Sequence, residues 1–95
     1  MIFLSRPAII YAILMCNTQE RYHVNIAVNS NMLISYIRSE IQKMITTYGC
    51  IEPRSRVSSN LFHALFENGS TINVFRANEA SRVRKCDLLI VDEIG

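Results

Sequence analysis

One segment near the C-terminus restricts the possible folds of this chain more than any other. Leu88–Val91 is an unbroken apolar run, and Asp92 and Glu93 follow it directly. A strand that is covered on both faces has this pattern, and such strands lie at the centre of parallel sheets. With two helices and another strand earlier in the chain, the run predicts a layered α/β domain.

Two helices are predicted before this strand. Ser5 can cap the first, which carries Pro7 in its first turn and runs to about Thr18. Since this helix is apolar on most of its surface, we expect it to be covered on nearly all sides. The second helix, about Met32–Tyr48, repeats apolar residues at helical spacing, and Gly49 is well placed to end it.

The remaining strands are predicted from alternation and turn signals. His23–Val28 alternates apolar and other residues, which is typical of a strand. Asn60–Phe66 and Thr71–Phe75 flank an Asn68-Gly69 turn, and this arrangement favours a β-hairpin over a helical turn in the first run. Ile51–Arg56 is predicted to be irregular or a short edge strand, and 77–84 a polar loop with a helical turn.

Composition indicates a folded chain and excludes a disordered one. The 95 residues are 49% hydrophobic and 19% charged, which suits one small domain spanning 1–95. The three scattered cysteines are typical of reduced, structural thiols in an intracellular protein. His23 and His63 have no partner at metal-ligand spacing, so no metal site is predicted from them.

The N-terminal apolar run does not predict a membrane protein. Ala8–Cys16 is much shorter than the ~20 residues that a bilayer-spanning helix needs. A signal peptide has a basic start before its apolar stretch, whereas here Arg6 and Pro7 interrupt a start that is already apolar. We therefore interpret the run as a buried helix and expect no membrane partner.

The pair Asp92-Glu93 suggests nucleotide chemistry. In phosphate-loop nucleotide hydrolases, an inner strand carries two carboxylates to its C-terminal end, an arrangement called the Walker B motif. The first acid holds Mg²⁺, usually through water, and the second polarises the attacking water. Ligands of open α/β sheets bind at this edge. Acidic residues also often follow apolar strands simply because a strand must end and acids are favoured where it leaves the sheet. The motif alone therefore remains a hypothesis.

The order of the elements resembles the ATPase domain of terminase large subunits, the motors that package viral DNA. The resemblance covers nearly the whole chain, and its specific parts are the Asn68-Gly69-Ser70 turn and the Asp92-Glu93 strand. A loop with arginine precedes that strand in the family, as 82–87 does here, although Lys85 stands where the family has glycine.

The resemblance implies a partial P-loop-NTPase-like α/β domain with a mostly parallel sheet plus a β-hairpin. It implies Asp92 as the water-mediated Mg²⁺ ligand, Glu93 as the catalytic carboxylate, and Arg82 or Arg84 near the nucleotide or a neighbouring subunit. ATP and Mg²⁺ would be the cofactors. Partners would be the remaining terminase polypeptide or a second copy, with double-stranded DNA in the assembled motor. The location would be the cytoplasm or nucleus of an infected cell.

The phosphate loop of that family is missing from this sequence. Where Gly-x-x-x-x-Gly-Lys-Ser/Thr should precede the first helix, the residues Met1–Pro7 contain neither glycine nor lysine. Backbone amides of that loop and its lysine bind the triphosphate. We therefore expect no ATP hydrolysis by the chain alone, and Mg²⁺ and ATP only if another polypeptide completes the site.

Three further hypotheses stay open beside the motor fragment. The chain can be a degenerate relative that lost the activity. It can be a small α/β protein–protein interaction module without enzymatic activity, with an exposed apolar patch on either helix that dimerisation covers. It can bind nucleic acid through its basic clusters, with Tyr48 or Phe75 as a stacking platform. The net charge of +2 does not by itself indicate nucleic acid, and the clusters consist of Arg54, Arg56, Arg82, Arg84 and Lys85.

Overall fold

The fold consists of two helices and six short strands. The structure, a computed structural model, describes residues 1–48, 53–58, 61–78 and 85–92. In chain order the elements are β1 (Ile2–Phe3), α1 (Arg6–Thr18), β2 (His23–Val28), α2 (Asn31–Tyr48), β3 (Arg54–Ser58), β4 (Leu61–Leu65), β5 (Thr71–Arg76) and β6 (Leu88–Val91).

All six strands belong to one sheet, in the order β1-β6-β2-β5-β4-β3. The first four strands in this order run parallel to one another. β4 and β3 continue the sheet in antiparallel pairing. The predicted α/β class is therefore confirmed as a mixed sheet with two helices. The inner position of β6, between β1 and β2, is confirmed as well.

Local sequence determines where α1 begins. Ser5 Oγ accepts a hydrogen bond from the Ala8 backbone N–H at 3.2 Å, and Pro7 lies in the first turn. Proline is tolerated there because the first N–H groups of a helix have no partner within it. The predicted bounds of this helix are confirmed. The expected cover on nearly all sides is wrong, because Tyr11 and Leu14 are about half exposed, at 47% and 51%.

The second helix begins after a serine cap and buries one face. Ser30 lies directly before α2, and its Oγ accepts a hydrogen bond at 3.3 Å from the Leu33 N–H in the first turn of the helix. Ile34, Ile37 and Ile41 recur at helical spacing and are buried. The helical period of this segment is therefore confirmed. The predicted terminator, Gly49, lies outside the described residues.

The predicted hairpin is confirmed, and β4 and β5 are its antiparallel strands. Gly69 has a φ of +85°, a region that L residues with side chains rarely adopt. Asn68 Oδ1 accepts from the Ser70 N–H at 3.0 Å, while its amide nitrogen donates to the Cys16 carbonyl at 2.7 Å. The turn is thus held against the end of α1. The helical-turn alternative for this run is wrong.

The two edge strands differ in how well the sequence predicts them. β3 pairs with β4 from Arg54 to Ser58, so the edge-strand alternative for this region is confirmed. β1 was not predicted, because two residues are too short for an alternating pattern. It pairs in parallel with the end of β6, through Ile2 opposite Ile90 and Phe3 opposite Val91.

Both helices pack on the same side of the sheet. Apolar residues of α1 and α2 form one buried cluster with the residues that alternate along the central strands. We call this side the helix face, and its central members are Val24, Ile26, Val28, Ile72, Val74 and Ile90. The opposite side is called the open face. Among the described residues, no helix covers the open face.

This one-sided packing corrects the expectation for Leu88–Val91. Leu88 and Ile90 are buried on the helix face, whereas Leu89 and Val91 are partly exposed. The strand is inner within the sheet but is not fully covered on both faces. Because successive side chains of a strand point to opposite faces, a single helical layer buries only every second residue.

An ion pair links the two helices. Glu40 in α2 is only 6% exposed, and its carboxylate lies 3.5 Å from Arg6 Nε in the first turn of α1. Lys43 Nζ lies 3.7 Å from the same carboxylate. A carboxylate that is this buried is retained only with cations beside it, so this pair helps to set the position of α1 on α2.

Candidate functional site

The carboxyl edge of the parallel strands is the site that the sequence predicts. Asp92 follows β6 there, and its backbone N–H donates to the Ala27 carbonyl of β2 at 2.9 Å. Its carboxylate accepts from the backbone and side-chain N–H groups of Asn29, at 3.4 and 3.3 Å. Asp92 therefore lies at the edge where ligands of open α/β sheets bind, and its carboxylate is held by the end of β2.

The connection between β1 and α1 is very short at this same edge. Only Leu4 and Ser5 separate the strand from the helix, and the Leu4 N–H donates to the Val91 carbonyl at 2.7 Å. Ser5 satisfies one N-terminal amide of α1 itself. A helix N-terminus can bind phosphate through such amides, but here a serine cap already occupies one of them.

The other residues predicted for nucleotide chemistry are not described. Glu93, Arg82 and Arg84 lie outside the described residues. Lys85 is described, and because it precedes β6 it lies toward the strand end opposite Asp92. The structure therefore separates Lys85 from Asp92, although both belong to the segment that resembles the terminase motif.

Metal-binding residues do not converge within the described ranges. In 1–48, 53–58, 61–78 and 85–92, no group of three or more His, Cys, Asp or Glu side chains has an arrangement that could hold a metal ion. Mg²⁺ takes oxygen ligands and usually keeps several waters, so a single carboxylate such as Asp92 can fit it only with further ligands. Of the two acids predicted for nucleotide chemistry, only Asp92 lies among the described residues.

A second site lies on the open face, which carries a groove of about 880 Å³. Three exposed cations and two histidines line it, together with uncharged polar and apolar side chains. We call it the basic groove, and its lining residues are His23, Asn25, Arg54, Ser55, Arg56, Leu61, His63, Leu65, Thr71, Asn73, Phe75 and Lys85. The described lining residues include no Asp or Glu.

Strand register brings the basic groove together. Arg56 lies opposite His63, His63 opposite Asn73, and Asn73 opposite Asn25, so four neighbouring strands carry polar side chains at one level. His63 Nδ1 is hydrogen-bonded to Asn73 Oδ1, and Asn73 Nδ2 donates to Asn25 Oδ1 at 3.3 Å. This level of the sheet is therefore a connected line of hydrogen-bonding groups.

A second line of polar groups lies toward the amino edge. His23 lies opposite Thr71, and His23 Nδ1 is 2.8 Å from Thr71 Oγ1. The His23 backbone N–H donates to the Asp87 carboxylate at 2.8 Å. A backbone donor therefore already engages this carboxylate, which lies beside His23.

The sequence predicted some of these residues and missed others. Arg54, Arg56 and Lys85 were assigned to basic clusters, and the structure brings all three to one groove. Asn25 and Asn73 were missed as site residues, and the histidines were assigned structural roles. The sequence contains a signal for these residues. Polar side chains alternate along His23–Val28 and Thr71–Arg76, and this alternation places them on one face of the sheet.

Phe75 does not serve as the predicted stacking platform. It lines the groove but is only 1% exposed, so its ring packs inside the molecule. The companion suggestion, Tyr48, has a side chain outside what the structure describes. Planar groups at the surface of the groove are instead the imidazole rings of His23 and His63, both partly exposed.

The buried cysteine has no role in nucleophilic chemistry. Burial raises the pKa of the Cys16 thiol from 9.0 to about 12, and the thiol contacts the carbonyl oxygens of Tyr22 and Thr71 at 3.8 Å. A thiol nucleophile must be a thiolate near neutral pH, so this residue is structural, as predicted. Burial, followed by the neighbouring Tyr11 and Asp87, raises the pKa of Tyr22 as well.

Apolar side chains are also exposed, on the outer surfaces of the helices. Tyr11 and Leu14 on α1 and Met32 and Tyr36 on α2 are 47–83% exposed. These are the helices on which the interaction-module hypothesis expects a patch. Neither described helix is long and apolar enough to cross a membrane.

Comparison with known proteins adds no identification. The chain matches no protein-family model, no curated protein and no solved structure. The resemblance to terminase large subunits therefore rests on the residues quoted from the sequence, and function has to be argued from the two sites themselves.

Proposed function

We propose that this chain is a nucleic-acid-binding module whose contact surface is the basic groove on the open face. The observation that carries the proposal is the charge of that groove. Arg54, Arg56 and Lys85 meet there with His23 and His63, and no acidic side chain lines it among the described residues. A cleft lined by one sign of charge attracts ligands of the opposite sign.

The size of the groove favours an extended anion over a single phosphate. A volume of about 880 Å³ exceeds what one phosphate group needs, and the cations lie at separate positions. Arg54 and Arg56 lie on edge strand β3, whereas Lys85 precedes β6 on the other side of β2. A phosphodiester chain presents negative charges at intervals and can contact both ends.

One-sided packing of a parallel sheet gives further support. Parallel strands normally lie in sheets that are covered on both faces. Here β2 and β5 are central and parallel, yet one of their faces carries His23, Asn25, Thr71 and Asn73. An apolar partner would cover polar groups that are still partly exposed, such as Thr71 and Asn73, whereas a polar, charged ligand can hydrogen-bond to them.

Salt-dependent binding tests this function. Fluorescence anisotropy with a labelled oligonucleotide should give dissociation constants of about 1–100 µM at low salt, weakening steadily as salt rises. Replacing Arg54 and Arg56 with alanine should weaken binding and flatten the salt dependence, since each phosphate contact contributes to the slope.

The matched control is Lys43→Ala, which removes one exposed cation from α2 on the opposite side of the sheet while Arg6 still accompanies Glu40. It should bind as the unaltered chain does. Binding that is insensitive to salt would exclude the groove as the binding site. An equal loss of affinity in the control and in the Arg54/Arg56 variant would exclude it as well.

A second candidate function is the terminase-type ATPase fragment, and the position of Asp92 favours it. The carboxylate lies at the carboxyl edge of a parallel inner strand, beside the start of α1. If another polypeptide supplies a phosphate loop, Asp92 would hold hydrated Mg²⁺ with ATP, and Glu93 would polarise the attacking water.

Calorimetric titration with Mg²⁺-ATP separates this candidate from the first. The isolated chain should show no micromolar binding, because it lacks the loop amides and lysine that hold a triphosphate. A complemented assembly should hydrolyse ATP and lose that activity in Asp92→Ala and in Glu93→Ala. Full activity of both variants in such an assembly would mean that the two acids only follow the end of the strand and have no catalytic role.

A further inference from the structure

A row of polar groups crosses the middle of the basic groove. Asn25, Asn73 and His63 lie in register on β2, β5 and β4, and we call them the amide–imidazole row. Arg56 continues the same level on β3. Three strand spacings, roughly 14 Å in total, separate Asn25 from Arg56. The row therefore runs from the middle of the groove to Arg56 on the edge strand.

The composition of this row is unusual for central strands. Asparagine is among the residues least favoured in strands, and an amide that is taken out of water requires hydrogen-bond partners. Asn25 is only 4% exposed, yet it stands on the central parallel strand β2. Asn73 donates a hydrogen bond to Asn25, so the buried Asn25 amide holds Asn73 in place, and the partly exposed Asn73 and His63 are the members of the row that a ligand can reach.

The row presents donors and acceptors that remain within reach of a ligand. An amide carries two N–H donors, and Asn73 donates through its nitrogen to Asn25 at 3.3 Å. Asn73 and His63 are both partly exposed in the groove. Mixed donors and acceptors of this kind match the edges of nucleobases, and asparagine in particular can pair with adenine through two hydrogen bonds.

Phosphates and bases would then contact different parts of the groove. Phosphate oxygens are bound by cations, which lie on β3 and before β6. The amide–imidazole row between them presents hydrogen-bond donors and acceptors, which suit the edge of a base. The partly exposed rings of His63 and His23 add planar surfaces on which bases can stack.

Only an unpaired strand satisfies both requirements. In a duplex the Watson–Crick edges are already paired, and the bases lie inside the helix. A concave groove on a sheet cannot reach them, whereas single-stranded loops and ends can turn their bases toward a protein. Sheet surfaces that bind single strands use this division between a charged track and a base platform.

We infer that the open face binds single-stranded nucleic acid, with a base on the amide–imidazole row and the phosphodiester on Arg54 and Arg56. The inference rests on the proposed nucleic-acid-binding function and adds the strand type and the base-contacting residues. Asn73 is the central contact, because it lies between Asn25 and His63 in the row.

The test compares probes that share phosphates and differ in bases. Fluorescence anisotropy at one low salt concentration is measured with a single-stranded adenine oligonucleotide, a duplex of equal length and an abasic strand of equal length. The single strand is prepared both as DNA and as RNA, and tight binding of either one supports the inference. We expect the single strand to bind at least about tenfold more tightly than the duplex or the abasic strand.

Variants assign the contact to the row. Asn73→Leu should reduce binding of the single strand to the level of the abasic strand and leave the salt dependence unchanged. Asn73→Thr, which suits a strand well, repeats the test if the leucine variant does not fold. Arg56→Ala should weaken binding of all three probes by a similar factor. Thermal unfolding followed by circular dichroism verifies that each variant is folded.

The outcomes distinguish failure of this inference from failure of the proposed function. Equal, salt-dependent binding of single strand, duplex and abasic strand would overturn the base contact and leave phosphate binding in place. Loss of single-strand preference in Arg56→Ala but not in either Asn73 variant would also overturn it. No binding to any of the probes would overturn both proposals.

Discussion

The two faces of the central sheet differ in almost every physical property, although the same strands form both. On the helix face, Val24, Ile26, Ile72 and Val74 are fully buried against α1 and α2. On the open face, the alternate residues of the same two strands include one histidine, two asparagines and a threonine. One face is dry and apolar, and the other presents hydrogen-bonding groups beside three cations.

This difference shows how a small domain can use one face of its sheet for stability and the other for binding. Burial of apolar side chains on one face provides most of the free energy of folding. The other face is then available for polar residues that a central strand would otherwise exclude. Near the carboxyl edge this division ends, since Ala27 and Phe75 on the open face are also buried. The recognition surface is therefore confined to the amino-terminal half of β2 and β5.

The largest expected effect comes from truncating the helix face. Ile26 is completely buried between the helices and the sheet. Ile26→Ala should lower the free energy of unfolding by about 3 kcal/mol, through lost burial and the cavity that remains. Urea unfolding followed by circular dichroism measures this. A loss of less than about 1 kcal/mol would mean that the helix face is not the main source of stability.

The second prediction tests whether water is excluded from the helix face. The folded-state pKa of Cys16, about 12, lies above its ordinary value of 9.0. Below pH 9 the thiol is protonated in both states, so this contribution to stability is complete there. Between pH 9 and 12 only the unfolded state loses the proton, so stability should fall by about 1.4 kcal/mol per pH unit.

The measurement is urea unfolding at about pH 8 and about pH 10. The unaltered chain should lose more stability between the two than Cys16→Ala does. The comparison uses only the change in stability with pH, not the absolute stability of Cys16→Ala. An identical change in both proteins would show that water reaches the thiol and that the contrast between the two faces is weaker.

A third prediction truncates an apolar side chain on the open face. Leu65 lies on β4 and is 41% exposed, in contrast to the fully buried isoleucines of the helix face. Leu65→Ala should cost about 1 kcal/mol or less, because much of the side chain is already in water. Its comparison with Ile26→Ala in the same urea series gives the difference between faces directly. Equal losses would mean that the open face is covered in solution.

The smallest expected effect on stability belongs to Arg56, one of the three cations of the groove. Arg56 is exposed on edge strand β3, and Arg56→Ala should change the free energy of unfolding by no more than about 0.5 kcal/mol. The same variant should weaken oligonucleotide binding severalfold. A large loss of stability without a change in binding would reverse the roles assigned to the two faces.

The sequence predicted the elements better than the site. Helical spacing, the Ser5 cap and the Asn68-Gly69 turn are local signals, and each produced the expected element. Local signals act over a few residues and so survive without tertiary information. The short strand β1 was missed because Ile2 and Phe3 become a strand only by pairing with β6.

The candidate groove could be predicted only in pieces. Arg54 and Arg56 stood out as a cluster, but nothing local connects them to Asn25 or Asn73. Their proximity depends on β5 pairing with β2 on one side and with β4 on the other. Residues distant in the chain become neighbours through strand order, which no local pattern encodes.

Local patterns in the sequence are enough to predict the α/β class, the two helices, the hairpin and the inner position of Leu88–Val91. These patterns are periodicity, capping and turn chemistry, which depend on neighbouring residues. Only the tertiary structure decided that both helices cover one face and that polar residues of four strands line the other. The physical reason is that alternation assigns side chains to two faces, whereas packing decides which face becomes the core.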